Sequence, residues 1–254
     1  MRDRAREFLV EGTNGIEGAL ESGRRLEVLF VSPPVGANSH GATSQGVGQL
    51  DGLVETARVA RVPTFEVSPE VMQAISDAET PPGAVAIAPF VDVDPTQLLD
   101  SGSDLFVVLA EVRDPGNLGT ILRTARAAGA GGVFLTKGTV DVYNPKVVRA
   151  SAGALFHVPV AREVAVPWVL AELGGRHIRR VAADPSATAS YDEVDMRGPS
   201  ALVFGNEAWG LPGEAVAVVD ERASIPMRAS AESLNVGVAA AVFLFEAVRQ
   251  RRRR

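Results

Sequence analysis

Two hydrophobic patterns divide this chain. Near-continuous apolar runs at Leu105–Ala110, Gly132–Leu135, Leu155–Val160, Ile178–Ala182 and Ala201–Phe204 predict strands buried on both faces. Helical spacing of apolar residues follows each of them, near Asn117–Gly129, Asn144–Ser151, Val164–Leu173, Pro212–Val219 and Ser233–Arg249. Strand and helix in alternation give an α/β fold, a mostly parallel sheet with helices on both faces. Toward the N-terminus the elements are shorter: strands at Leu26–Val31, Thr64–Val67 and Ala84–Ala88, with helices near Thr13–Ser22, Leu50–Arg61 and Pro69–Ser76. They predict a separate small α/β domain. Pro89–Asp104 is acidic and rich in turn formers and reads as the linker, which sets the domains at residues 1–98 and 99–254. The Gly- and Ser-rich stretch Gly36–Gly48 reads as a long loop, either an insertion or a segment that orders on a partner.

Ile225–Glu246 turns a polar loop directly into an almost wholly apolar helix. Pro226 keeps Ile225 out of that helix, and Ser233 stands where an N-cap hydroxyl accepts a backbone N–H of the first turn. A helix apolar on most faces is expected deep in a core, with Ser233, Leu234 and Asn235 held at its N-terminal mouth. Free amides there attract anionic groups, and the Asn235 side chain both donates and accepts. Two further segments, V-R-D-P-G-N-L-G-T-I-L-R-T-A-R-A-A at Val112–Ala128 and V-F-G-N-E-A-W-G-L at Val203–Leu211, lie at strand-to-loop junctions. In an open α/β sheet such junctions sit at the carboxyl edge of the strands, where ligands bind.

Composition narrows the classes. The 254 residues, 46% hydrophobic, suffice for one large core or two smaller ones. No apolar run approaches the ~20 residues of a membrane helix, and the mixed-charge start M-R-D-R-A-R-E-F-L-V lacks a signal peptide's apolar centre, so a cytoplasmic protein is expected. Without cysteine there is no disulfide, thiol nucleophile or thiolate site; His40, His157 and His177 are too scattered for a ligand cluster, and no metal is expected. His157, placed in the Leu155–Val160 run, reads as a packed or surface histidine rather than a base. The net charge is −6, yet residues 1–100 carry 7 basic and 15 acidic side chains against 18 and 16 in the remainder. That balance argues against indiscriminate nucleic-acid binding, which counterion release drives, and leaves room for a local basic face. Arg113, Arg123, Arg126, Lys146 and Arg149 fall in the motif region. The Arg249–Arg254 tail either touches phosphate or is a solvated helix end that complements the helix dipole.

In order and spacing the three segments resemble the motifs of the SpoU (TrmH) family of RNA ribose 2'-O-methyltransferases. The resemblance spans Leu105–Arg249 and includes the connecting piece P-K-V-V-R-A-S-A-G-A-L-F-H-V-P at Pro145–Pro159. More weakly, E-G-T-N-G-I-E-G-A-L at Glu11–Leu20 and S-D-A-E-T-P-P-G-A-V-A-I at Ser76–Ile87 are similar to the L30e-like substrate-binding domain that often precedes the catalytic one. The resemblance implies a SPOUT-type fold, whose C-terminal trefoil knot periodicity alone never reveals. It implies S-adenosyl-L-methionine as cofactor, ribosomal RNA as substrate with tRNA the alternative, and a homodimer paired through the knotted domain. The L30e-like domain is then expected to select the RNA.

The same resemblance makes Asn117, Arg123, Glu207, Ser233 and Asn235 the catalytic set. Arg123 is the central member, taking the ribose hydroxyl's proton or, more mildly for so weak a base, orienting phosphate and lowering the hydroxyl's pKa. Glu207 either orients Arg123 or caps the helix near Pro212. The cofactor pocket is expected from Leu135, Thr136, Lys137, Gly138, Phe204, Gly205, Asn206, Gly210, Ile225, Pro226, Met227, Leu234 and Asn235. Glycines there allow close backbone approach, while Leu135, Ile225 and Leu234 supply apolar walls. Trp209 either stacks on a base or closes the knot. Two other classes stay in view. A noncatalytic RNA-binding module is disfavoured by the complete catalytic set. A Rossmann dehydrogenase is disfavoured because no G-x-G-x-x-G follows the first strand, and A-G-A-G-G at Ala128–Gly132 has the wrong spacing and follows a helix.

Overall fold

The computed structural model describes residues 2–32, 44–228 and 233–252. Its elements begin with α1 (Arg2–Ala5), β1 (Glu7–Glu11), α2 (Thr13–Glu21), β2 (Val28–Val31), α3 (Ser44–Val59), β3 (Thr64–Glu66), α4 (Pro69–Ile75) and β4 (Ala84–Pro89). Next come α5 (Pro95–Leu99), β5 (Leu105–Leu109), α6 (Pro115–Ala128), β6 (Gly132–Thr136), α7 (Pro145–Ser151), β7 (Val160–Val164) and α8 (Val166–Gly175). The chain continues through β8 (Arg179–Ala183), β9 (Ser200–Phe204), α9 (Gly213–Val216), β10 (Glu221–Ala223) and α10 (Val236–Arg251). Four helices start on one local device. Ser68, Asp94, Asp114 and Asn144 each accept a first-turn N–H through the side chain, and each is followed by a proline whose missing N–H needs no partner there.

Two compact units result, Met1–Val91 with Tyr143–His157, and Asp92–Val142 with Val158–Arg254. The first holds a four-stranded sheet in the order β1-β4-β2-β3. Strands β1 and β2 run antiparallel to β4, and β3 runs parallel to β2. Segment 143–157 completes this unit's core. Tyr143 stacks on Phe90 at 3.9 Å and accepts the Val91 N–H through its hydroxyl at 2.7 Å. Arg149 donates at 2.8 Å to Glu11, whose side chain is only 1% exposed, so this arginine is committed within the fold. Gly18 and Gly153 touch backbone to backbone: a Cβ on Gly18 would stand 2.8 Å from the Gly153 Cα, which explains glycine in the E-G-T-N-G-I-E-G stretch.

The second unit holds a six-stranded sheet in the order β10-β8-β9-β5-β6-β7, every neighbouring pair parallel. Every residue of β5, β6 and β9 is buried, as near-continuous apolar runs require. Three expectations need correction. The Leu155–Val160 run is not a strand: Ala152 and Gly153 adopt left-handed conformations, a 3-10 turn follows at Ala154–Phe156, and the strand starts only after Pro159. Pro89–Asp104 is more than a linker, because Asp94 and Pro95 start α5, which buries Leu98 and Leu99 in the core with Phe106, Phe134 and Leu170. Helix α10 is not deep in a core. Gly237, Ala240, Phe243, Leu244 and Ala247 face inward where it packs along α6 and β9, while Val238 and Phe245 remain 49% and 48% exposed.

Helix α3 begins six residues before the expected Leu50, within the Gly36–Gly48 stretch, whose residues 36–43 lie outside the described ones. Of the basic tail, Arg249 makes a double hydrogen bond to Glu246, and Arg251 donates to Asp104 and to the Met196 and Gly198 carbonyls. Arg253 and Arg254 lie outside the described residues.

Candidate active site

Because the strands of the second unit are parallel, the loops after β8, β9 and β10 emerge along one edge, and the N-terminus of α10 meets them there. Together they enclose a cavity of about 850 Å³, lined from 183–186, 204–210, 223–225 and 233–236, with Asp114, Asn117, Met227, Ala239 and Phe243 completing it. Apolar walls come from Phe204, Ile225, Leu234 and Phe243, the two phenylalanines packed edge to face at 5.9 Å. Its charged lining residues are Asp114, Asp184 and Glu207; among the described residues no lysine, arginine or histidine joins them. Asp184 is held ionised. Burial opposes its charge, but the Ser186 hydroxyl and N–H and the Arg222 guanidinium outweigh that and lower its pKa.

Asn235, Asn117 and Glu207 meet at the cavity mouth although 118 positions separate the two asparagines. Asn235, not the expected Ser233, is the N-cap of α10: its Oδ1 accepts the Gly237 and Val238 N–H groups at 2.9 and 3.2 Å. The helix starts at Val236, two residues too late for the Ser233 hydroxyl to reach its first turn, and Asn caps as well as Ser. The other half of the amide is also used, since Asn235 Nδ2 donates to Asn117 Oδ1 at 2.7 Å. Asn117 in turn donates from Nδ2 to Glu207 Oε1 at 3.0 Å. Asn117 is placed for this by Asp114, which caps α6, so Asn117 lies inside the first turn. Glu207 also accepts the Arg113 and Asp114 N–H groups at 3.3 and 3.4 Å. Burial works to raise its pKa, but the Asn117 amide and these backbone donors outweigh it and hold the carboxyl below its ordinary value. Within its own chain Glu207 therefore neither pairs with Arg123 nor caps α9.

The loop that carries Glu207 is a pinned turn. Asn206 and Gly210 exchange both backbone hydrogen bonds at 2.9 Å, and Asn206 Nδ2 donates to the Glu111 carbonyl at 2.7 Å. Gly210 has φ +72°, and a Cβ on Gly205 would fall 2.3 Å from the Gly210 carbonyl carbon, so the turn closes only with glycine at 205.

The other expected residues scatter. Gly205, Asn206, Gly210, Met227, Ser233 and Leu234 line the cavity beside those already named, while Pro226 is exposed and outside the lining. Leu135, Thr136, Lys137 and Gly138 lie at the end of β6, also outside it; Thr136 Oγ1 accepts the Glu111 N–H at 3.2 Å. Arg123 projects from α6 into solvent, makes no hydrogen bond or ion pair with any described residue, and is not part of its own chain's cavity. Sequence reasoning missed the A-D-P-S turn at Ala183–Ser186 and the Ala223–Ser224 edge. The signal was present: a turn sequence directly follows an apolar strand, on the edge where ligands bind.

A roomy cavity with apolar walls, a turn constrained by two glycines and ionised carboxylates suits a cationic, partly aromatic ligand; S-adenosylmethionine, with a sulfonium and an adenine, has that chemistry. A pyrophosphate-containing dinucleotide would meet carboxylates there and, among the described residues, no cationic side chain in the lining. Comparison with known proteins agrees. Residues 104–245 match the SpoU rRNA Methylase family, and residues 1–86 match the MRM3-like substrate binding domain. A 23S rRNA (uridine(2479)-2'-O)-methyltransferase of Streptomyces viridochromogenes is 34% identical over 98% of this chain and 85% of that protein. The 23S rRNA (guanosine(2553)-2'-O)-methyltransferase RlmP of Bacillus subtilis is 30% identical over 96% of this chain and 89% of its own length. The crystal structure of the SpoU methyltransferase AviRb from Streptomyces viridochromogenes, in complex with the cofactor AdoMet, superposes with a TM-score of 0.83 at 31% identity, covering all of this chain and 94% of that one. Matched over more than half its length by the family model, and built as an α/β fold with its site at the carboxyl edge of a parallel sheet, this chain belongs to the SpoU methylase family.

Proposed function

We propose that this chain is an S-adenosylmethionine-dependent RNA 2'-O-ribose methyltransferase acting on ribosomal RNA. The observation that carries the reading is the convergence of the Asn235–Asn117–Glu207 bridge on a carboxylate-lined cavity between three strand ends. The cofactor, when bound, supplies a methyl group activated by the positive sulfonium. Phe204, Ile225 and Leu234 form the walls of its site, and the carboxylates of Asp184 and Glu207 favour its cationic form over neutral analogues. The amide bridge fixes the mouth so that the ribose hydroxyl arrives in one orientation.

Arg123 completes the chemistry by orienting the RNA phosphate and easing loss of the hydroxyl proton. Its place on the solvent face of α6, outside its own cavity, supports a homodimer in which it serves the partner's site. The exposed apolar residues Val238 and Phe245 on α10, the helix packed along α6, support the same assembly. Residues 1–98 select the RNA and residues 99–254 bind cofactor and carry the reaction, a division that the match of 1–86 to a substrate-binding domain supports. The C-terminal segment threads as a trefoil knot, and the protein works in the cytoplasm; among the described residues no helix is long and apolar enough to cross a membrane.

Calorimetry tests the cofactor: S-adenosylhomocysteine should bind and NAD should not. Mapping ribose methylation in 23S rRNA and tRNA from cells with and without the gene tests the substrate. A lost methyl on tRNA alone would move the assignment to tRNA, and no lost methyl on either would defeat it.

A further inference from the structure

Trp209 lines the cavity, yet 54% of its surface faces solvent. Water is a poor environment for so much indole unless a ligand covers it. The ring is also held ready. The Arg113 guanidinium lies 4.7 Å from its centroid, a cation–π distance. Arg113 is itself anchored: its N–H donates to Glu207 and its guanidinium pairs with Glu111 at 3.3 Å. Glu111 and Trp209 both hang from Asn206, whose amide bonds the Glu111 carbonyl and whose backbone closes the turn on Gly210. The indole and its cation thus share one rigid frame, two residues along the chain from Glu207.

We propose that Trp209, braced by Arg113, is the stacking platform for an unpaired base of the RNA beside the ribose that enters the cavity. The proposal rests on the methyltransferase reading above and adds to it a positioning group for the substrate. An indole face accepts any base, so this platform holds the nucleotide in register without selecting its identity. The adjacent guanidinium brings positive charge to a mouth otherwise lined by carboxylates, where the RNA backbone must pass.

The chain contains two tryptophans, so Trp168→Phe leaves Trp209 as the sole indole fluorophore. Full-length protein with this change is titrated with 23S rRNA from cells lacking the gene, and stacking should quench the Trp209 emission by about a third or more. In turnover assays on the same RNA, Trp209→Ala should raise KM about tenfold while S-adenosylhomocysteine affinity stays within twofold, and Trp209→Tyr should restore most of the loss. Unchanged KM without quenching overturns the platform. So does a tenfold loss of S-adenosylhomocysteine affinity in Trp209→Ala with KM for RNA unmoved, which would make Trp209 a cover for the cofactor. If the wild-type protein transfers no methyl to RNA yet Trp209 of the Trp168→Phe protein is quenched, the platform stands and the methyltransferase reading falls.

Discussion

Asn117→Ala probes whether the amide bridge at the cavity mouth acts as one unit. Asn117 is 8% exposed and makes two side-chain bonds, to Glu207 at 3.0 Å and from Asn235 at 2.7 Å. Truncation strands the Asn235 Nδ2 without its acceptor, but Asn235 is itself exposed and water replaces part of the bond, so the loss lies at the low end of the about 1–3 kcal/mol that an unsatisfied buried donor costs. Glu207 faces water and keeps its two backbone donors, so its share of the loss is small. A destabilisation of about 1 kcal/mol corresponds to a drop of roughly 2–4 °C in Tm for a chain of this size. Asn235→Ala removes the same bond and also the α10 cap, about 1 kcal/mol more. The double variant should therefore be more stable than the sum of the singles by about 1 kcal/mol. The pH dependence gives a second check. Glu207 titrates below its ordinary value in the folded protein, so its contribution to stability is present above the unfolded pKa and lost as pH falls through the folded one. Removing the Asn117 donor moves the folded pKa back up, and the Tm gap between variant and wild type should narrow on acidification below the ordinary carboxylate range. Additivity within about 0.5 kcal/mol by calorimetry, together with a gap indifferent to acid, would refute the coupled bridge.

Arg123→Ala should abolish methyl transfer with S-adenosylhomocysteine affinity within a few-fold, and mixing it with inactive Asn235→Ala chains should restore some activity through heterodimers; no recovery under conditions that exchange subunits would separate Arg123 from the partner's site. Phe245→Asp, on the exposed face of α10, should yield an inactive monomer by light scattering, and an active monomer would remove the composite site. Gly205→Ala places a Cβ 2.3 Å from the Gly210 carbonyl carbon, so it should weaken S-adenosylhomocysteine binding more than tenfold by calorimetry, and unchanged affinity would show the turn to be dispensable.

What was legible depended on where each element lies. Strands β5, β6 and β9 are interior to the sheet and buried throughout, so their sequences are unbroken apolar runs. Strands β1 and β10 are the edge strands of their sheets, and their sequences, E-F-L-V-E and E-R-A, give no such run. The aspartate–proline starts of α5 and α6 have the same grammar, yet α5 was hidden inside a stretch that composition marked as a linker. In the site, Asn117, Glu207 and Asn235 were each visible as polar residues at strand ends or helix mouths. Their mutual hydrogen bonds were not, because an approach between residues 118 positions apart is set by strand order rather than local pattern. The direction of Arg123 was likewise set by where Asp114 starts α6.

The segment 143–157 changes how the front region must be tested. Sequence reasoning places it in the catalytic domain, and deleting residues 1 to about 95 would then leave that domain whole. In the structure the segment folds with residues 1–91, where Tyr143, Val147, Val148, Leu155 and Phe156 are all buried. Uncovering five such side chains costs about 1.5–3 kcal/mol each, which together rivals the whole stability of a domain. The Arg149–Glu11 pair would be broken as well. Deleting 1–91 alone should therefore give aggregation and impaired cofactor binding for reasons unrelated to RNA. Removing 1–91 and replacing 143–157 by a short glycine–serine link avoids this, and that form should keep S-adenosylhomocysteine affinity while losing most activity on structured RNA. Arginines of the first unit allow a gentler test in the full chain. Arg6 lies over Phe90 and Arg25 pairs with Glu27, whereas Arg4 and Arg24 are simply exposed, so Arg4→Gln and Arg24→Gln remove charge with the least structural damage. For every phosphate that an arginine no longer neutralises, the salt dependence of RNA binding should flatten by about one unit of slope. If the slope is unchanged and the doubly excised form methylates the same nucleotide at full rate, RNA selection belongs to the parallel-sheet unit and the first unit serves another purpose.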